Sequence, residues 1–445
     1  MADIAIRGGR VVLSDGVREA DVLVLAGTII RIVAPGAGDA AEIIDARGLV
    51  VLPGVVDAHV HVNEPGRTDW EGWLAATRGA ARGGVTTIAD MPLNSIPPTL
   101  DDSSFDEKYE AASRSAIVDF ALWGGLVDDD RVRLRGLARC GVVGVKAFTC
   151  PSGVDEFPHL DATRLPGALA AAADARLLVA LHCEDEEVLS APHDGDADAW
   201  LASRPIAAEL AAIERVAAIA RASGAAVHVV HASCAEAIAA VAAARRAGAD
   251  ITVETCPHYL AFDAEDVRAI GTTLKCAPPI RRESRDGLWR EVADGRIDLV
   301  VSDHSPCTRE LKEPRDGKFT SAWGGVSGIQ STLAVMLSEG VHERGVPLET
   351  LAQLLATRPA KRLGLHPRKG EIRAGSDADL VLVDLDREWT FDRDALETRS
   401  GLSPYVGWRF RGAVVRTIVR GRTVYEDGKV TGTPGDGWFV QRVNA

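Results

Sequence analysis

Pro53-Gly54-Val55-Val56-Asp57-Ala58-His59-Val60-His61 decides how the rest of this chain is read. A Pro-Gly turn opens a run of strand-forming residues that ends in two histidines two positions apart. Side chains of a strand alternate between its faces, so His59 and His61 share one face and aim both imidazoles at a single point. That pair is half of a metal site.

Working outward, seven further strand-like runs follow, at 85–91, 117–122, 143–148, 177–182, 227–231, 251–254 and 297–303. They alternate with Ala-rich stretches of helical composition, such as 207–221 and 235–247. Alternation of this kind predicts a parallel sheet with helical crossovers, and eight units predict an α/β chain built on a (β/α)₈ TIM-type barrel over residues 53–371. In such a barrel the chemistry sits at the C-terminal ends of the strands. Lys146, His182, His231 and Asp303 each fall at or just after the end of a separate run. With the histidine pair, six residues from five strands converge, and the fold and the site are read from different residues that agree.

Residues 1–52 read as short alternating strands, among them Ala20-Asp21-Val22-Leu23-Val24-Leu25 and Thr28-Ile29-Ile30-Arg31-Ile32-Val33. Too few to close a core alone, they need partners. Residues 372–445 have the same texture, for example Ala378-Asp379-Leu380-Val381-Leu382-Val383-Asp384. The two chain ends are therefore expected to form one small β-sandwich domain beside the barrel.

Composition limits the function classes. The 445 residues are 46% hydrophobic and 26% charged, which is ordinary for a globular chain. A formal net charge of −14 repels nucleic acid and anionic lipid, so neither a nucleic-acid nor a membrane partner is expected. No basic segment followed by an apolar one opens the chain, and no run of 18 apolar residues occurs, so a soluble protein not secreted by that route is expected. Seven cysteines, odd in number and without a C-x-x-C pair, fit a reducing cytoplasm.

Imidazole nitrogens and carboxylate oxygens suit zinc and similar divalent ions. For His59 and His61 the bland alternative is a bond to a backbone carbonyl; for His182 it is a satisfied core histidine. Lys146, aimed into a mouth full of cations, would be repelled and desolvated. Carbamylated by CO₂ it becomes an anionic oxygen ligand able to bridge two metals, whereas the alternative is a lysine paired with an acid at the rim. His228 and His231 are three apart and face opposite sides of a regular strand, so His231, nearer the mouth, is the ligand candidate and His228 is structural. Asp303 follows an apolar strand, where an unpaired carboxylate would be costly, and metal coordination offsets that cost while leaving an oxygen to handle a proton. His258 and His304 would overcrowd the site and are expected behind the ligands or on the substrate side. The charged stretch 308–320 reads either as a solvated loop or as a lid.

These residues resemble the amidohydrolase superfamily, specifically its cyclic-amidohydrolase branch of hydantoinases, dihydropyrimidinases, dihydroorotases and allantoinases. The resemblance covers nearly the whole chain. It includes the 53–61 stretch, the lysine strand, Glu254-Thr255-Cys256-Pro257-His258-Tyr259-Leu260, Cys276-Ala277-Pro278-Pro279 and Gly375-Ser376-Asp377-Ala378-Asp379-Leu380. It implies two divalent ions, zinc first with iron, cobalt or manganese as alternatives. His59, His61 and Asp303 would hold one, His182 and His231 the other, with carbamylated Lys146 bridging and Asp303 also the catalytic base and acid.

Dihydroorotases carry an arginine two positions after the histidine pair to hold a carboxylate, and this chain has Asn63 there. An amide cannot replace guanidinium in a bidentate contact, which implies a substrate neutral at that point. Hydantoinases have a tyrosine soon after the lysine, where this chain reads Phe148-Thr149-Cys150-Pro151. Residues 63–72, 90–99 and 323–330 are similar to the members of the branch that act on allantoin. The resemblance thus implies hydrolysis of the cyclic amide of allantoin to allantoate, with Asn94, backbone groups around Ala277, and Gly324 as substrate contacts, in a homotetramer. A hydantoinase or dihydropyrimidinase is the alternative. A non-catalytic assembly protein on the same fold is disfavoured, because all six ligand positions are filled.

Overall fold

A computed structural model describes residues 1–193, 195–282 and 284–443. Strands Val55–Val60, Val85–Asp90, Asp119–Leu122, Val145–Phe148, Val179–His182, Val227–Val229, Ile251–Thr255 and Leu299–Val300 follow one another round a barrel. Each pairs in parallel with its neighbour in sequence. The third strand continues through Trp123 into Gly124–Gly125, which pairs with the fourth. The seam between the eighth and first strands is closed by Val60 pairing with His304, where His61 N donates to His304 O at 2.8 Å. Almost every strand residue is buried, because helices cover one face and the barrel interior the other, and this is why the runs read as continuous apolar segments.

The crossover helices start and stop where their sequences say. Asp102–Ser115 is opened by a capping box from Asp101, whose carboxylate accepts Ser104 N. Ile206–Ser223 begins after Pro205 and ends at Gly224, whose φ of 72° a side chain would strain. No helix among the described residues is long and apolar enough to cross a membrane.

The two ends of the chain build one connected nine-stranded sheet. Its hinge is Val50–Pro53, which pairs in parallel with Ala2–Leu13 and antiparallel with Leu380–Thr390. Ile6, Val22, Ile44 and Val51 share a core with Leu380 and Ile418, distinct from the barrel core. The last residues leave this sheet and return to the barrel. Phe120 N donates to Trp438 O at 2.9 Å, Val440 N donates to Phe120 O at 2.8 Å, and Phe439 packs on Phe120. At the junction, buried Lys369 Nζ lies 2.5 Å from Asp119, 2.6 Å from Asp379 and 2.9 Å from Asp377.

Candidate metal centre

A cavity of about 290 Å³ opens at the C-terminal ends of the barrel strands. His59, His61, Lys146, His182, His231 and Asp303 all line it, as do Asn94, Ala277 and Gly324. The structure therefore brings together every site residue read from the sequence.

On one side, His59 Nε2 and His61 Nε2 converge on a single oxygen, lying 3.3 and 3.5 Å from Asp303 Oδ1. Their other ring nitrogens are engaged from behind: His59 Nδ1 lies 2.5 Å from Glu254 Oε1, and His61 Nδ1 lies 3.2 Å from Leu93 O. Ligating histidines are commonly held this way, one nitrogen fixed so that the other faces the ion. His59 Nε2 is buried without a hydrogen-bond partner, and one atom from each of the three residues lies within 4.8 Å of the others. A buried polar atom left without a partner is costly, and a divalent cation would complete this set. The residues present fit such an ion.

On the other side, His182 Nδ1 and His231 Nε2 lie 3.1 Å apart. His182 Nε2 is 2.7 Å from Glu184 Oε2, and Arg204 in turn pairs with Glu184. Lys146 is 1% exposed, and its ammonium forms no hydrogen bond or ion pair with any described residue. Its ammonium lies 5.1 Å from the centre of the Phe148 ring, and burial lowers its pKa to about 8. No rim acid pairs with it, so that reading of Lys146 is set aside.

Backbone and field both serve this arrangement. His231 and Asp303 have φ of 39° and 42°, a left-handed conformation unfavourable for residues other than glycine, just past the ends of their strands. Burial pushes the pKa of His59, His182 and His231 down, which favours the neutral imidazole with a lone pair to give. Burial opposes ionisation of Asp303, yet His59, His61 and His231 outweigh it and hold the carboxyl well below the ordinary range. Glu254 is likewise disfavoured by burial but held at about 2 by His59 and His228.

Comparison with known proteins places this geometry. The model of the amidohydrolase family matches residues 50–424. The chain belongs to the amidohydrolase family. It is 48% identical to an allantoinase of Rubrobacter xylanophilus over 99% of this chain and 97% of that protein. It is 45% identical to an allantoinase of Deinococcus radiodurans over 97% of each. Among solved structures, L-hydantoinase (dihydropyrimidinase) from Arthrobacter aurescens is similar with a TM-score of 0.96, at 34% identity over 99% of this chain and 100% of that one.

In this amidohydrolase the position two after the histidine pair is fully used by the fold. Asn63 Nδ2 donates to Pro306 O at 3.1 Å, and its Oδ1 accepts Asn94 Nδ2 at 3.1 Å. Phe148 lines the cavity and stacks on His182 with ring centres 5.0 Å apart. Neither of the two extra histidines lines the cavity. His258 is buried outside the cavity lining, its ring tilted against that of Tyr259, with burial lowering its pKa to about 4. His304 Nε2 lies 3.1 Å from Glu71 Oε1, which also accepts Thr398 and Arg399 through its other oxygen, so His304 faces away from the mouth.

Reading the sequence missed several groups around the centre. Glu254 and Arg204 reach partners far away in sequence; Glu184 engages His182 only two residues before it. The anchors of the charged stretch were missed as well. Lys275 Nζ donates to Thr320 O at 2.7 Å and Ala322 O at 2.6 Å, beneath the Trp200 ring. Lys312 Nζ donates to Trp323 O at 2.9 Å and Gly325 O at 2.5 Å. Residues 308–320 thus combine a pinned inner side, Lys312 and Phe319, with exposed charges at Arg309, Glu310, Glu313, Arg315, Asp316 and Lys318.

Proposed function

We propose that this chain hydrolyses the cyclic amide bond of allantoin, opening the hydantoin ring to give allantoate. The observation that carries the reading is the 48% identity to an allantoinase over nearly the full length of both chains, joined to a cavity lined by His59, His61, Lys146, His182, His231 and Asp303. A volume of about 290 Å³ suits one small heterocycle. Asn63 puts no guanidinium at its own position to demand a carboxylate on the substrate there.

The reading takes two divalent ions, zinc first with iron, cobalt or manganese as alternatives. His59, His61 and Asp303 would hold one, and His182 and His231 the other, with Lys146 between them as a carbamate. Burial of Lys146, its lowered pKa and its lack of an acidic partner support carbamylation, because the neutral amine is the form that adds CO₂. Bound there, the ions would supply Lewis acidity, polarising the ring carbonyl and acidifying water.

Asp303 accepts the proton of the attacking water and delivers it to the ring nitrogen as the carbonyl–nitrogen bond breaks. His59 and His61 flank one oxygen of its carboxylate and fix where it sits for the first transfer. Asn94, the backbone at Ala277 and the Gly324 turn face the ring from the rim. The same reading has a homotetramer in the cytoplasm, which seven free cysteines support.

Chelator-stripped protein should regain allantoin hydrolysis when a divalent ion and bicarbonate are added together, and regain little with the ion alone in CO₂-free buffer. Full activity of the stripped chain without either addition would refute the metal and carbamate roles.

A further inference from the structure

His228 takes no part in the proposed reaction, yet it is buried and meets a polar group at each ring nitrogen. Its Nδ1 lies 2.8 Å from Thr252 Oγ1, and its Nε2 lies 2.8 Å from Glu254 Oε2. The other oxygen, Glu254 Oε1, lies 2.5 Å from His59 Nδ1 and accepts His231 N at 3.4 Å. With both imidazoles neutral, donor and acceptor rules leave one consistent arrangement. An ionised carboxylate only accepts, so both histidines present an N–H to Glu254. His228 is then bare at Nδ1, where the Thr252 hydroxyl donates. His59 is bare at Nε2, the buried atom without a protein partner, 3.3 Å from Asp303 Oδ1. The chain of bonds runs from Thr252 through two neighbouring strands to the first, and ends at the candidate metal centre.

We propose that His228 is a positioning residue: through Glu254 it fixes His59 in the tautomer and ring orientation that point a bare Nε2 at the bound ion. The inference rests on the reading of His59 as a metal ligand. Without the His228 N–H, Glu254 Oε2 becomes a buried carboxylate oxygen with no donor, and the carboxylate is released to swing away from His59. The ligand then loses its fixed orientation although no ligand has been removed.

The test compares wild-type, His228→Leu, His228→Gln and Thr252→Val chains, each loaded with zinc and titrated with a competing chelator, beside the unfolding temperature of the metal-free chains. His228→Leu should raise the zinc dissociation constant by about 10–100-fold. His228→Gln, whose amide N–H reaches toward Glu254, should return it to within about 3-fold of wild type, and Thr252→Val should weaken binding by about 3-fold. A purely structural role would lower the unfolding temperatures and leave the dissociation constants alone. Unchanged zinc binding in Thr252→Val and His228→Leu, or a Gln variant no better than Leu, overturns the inference. If His228→Leu does not fold, Thr252→Val and His228→Gln decide it. A wild-type chain that holds no zinc overturns the metal-centre reading itself, a result distinct from the others.

Discussion

Asp303 concentrates the chemistry of the site: its carboxylate meets two imidazoles, sits on a left-handed backbone turn, and is held ionised in spite of burial. Asp303→Asn keeps the shape and removes the base, so kcat on allantoin should fall by about 10²–10⁴-fold with the unfolding midpoint little changed. Two neighbouring glycines separate a site effect from a folding effect. A Cβ at Gly324 meets nothing within 4 Å, so Gly324→Ala should fold normally and raise KM for allantoin severalfold by placing a methyl group at the rim. At Gly325, φ is 133° and a Cβ would come within 2.1 Å of Ser305 O, so Gly325→Ala should destabilise the chain by about 2–4 kcal/mol in denaturant unfolding. At this scale the ligand candidates were legible because each is a coordinating side chain at the end of an apolar run. Glu254 was not, because its partner His59 is 195 residues away and nothing local marks the pair.

The stretch from Lys275 to Gly325 shows how an element is held by charge without an opposite charge. Lys275 and Lys312 both donate to backbone carbonyls of residues 320–325, and burial lowers each lysine to about 8, the neighbouring Lys312 adding to the effect on Lys275. Between about 8 and the ordinary value of 10.5, folded Lys312 binds fewer protons than the unfolded chain does. Its contribution to stability therefore rises with pH across that window. Denaturant unfolding of wild type and Lys312→Met at pH 7.5 and 9.5 should show the difference shifting toward wild type by on the order of 1–3 kcal/mol at the higher pH. A difference independent of pH would show that Lys312 titrates normally. Eight strands were legible from hydrophobic runs, but their lengths were not. The last run, read as 297–303, keeps ladder pairing only at Leu299–Val300, because the chain turns into the left-handed region at Asp303. His231 likewise lies beyond its strand, which ends at Val229, so the alternation rule separating it from His228 applies only up to that point.

Across the whole molecule, two cores are joined by a buried cluster in which Lys369 serves Asp119 of the barrel and Asp379 of the end-built sheet, with Arg420 also on Asp119. Lys369→Met would leave buried carboxylates short of a cation and should cost about 3–5 kcal/mol in denaturant unfolding, while catalytic constants of the folded fraction stay near wild type. The shared texture of the two chain ends made their association legible. The return of residues 438–440 to the third barrel strand was not, since Trp438-Phe439-Val440 reads equally well as one more strand of the sheet. The central claim joins this architecture to one reaction. It is tested most directly by supplying purified protein, loaded with a divalent ion and bicarbonate, with allantoin, dihydrouracil and hydantoin in parallel and measuring ring-opened product. Selective formation of allantoate, abolished in Lys146→Ala and Asp303→Ala, is the predicted result; preference for dihydrouracil or hydantoin, or no turnover of any ring with two ions bound, would contradict it.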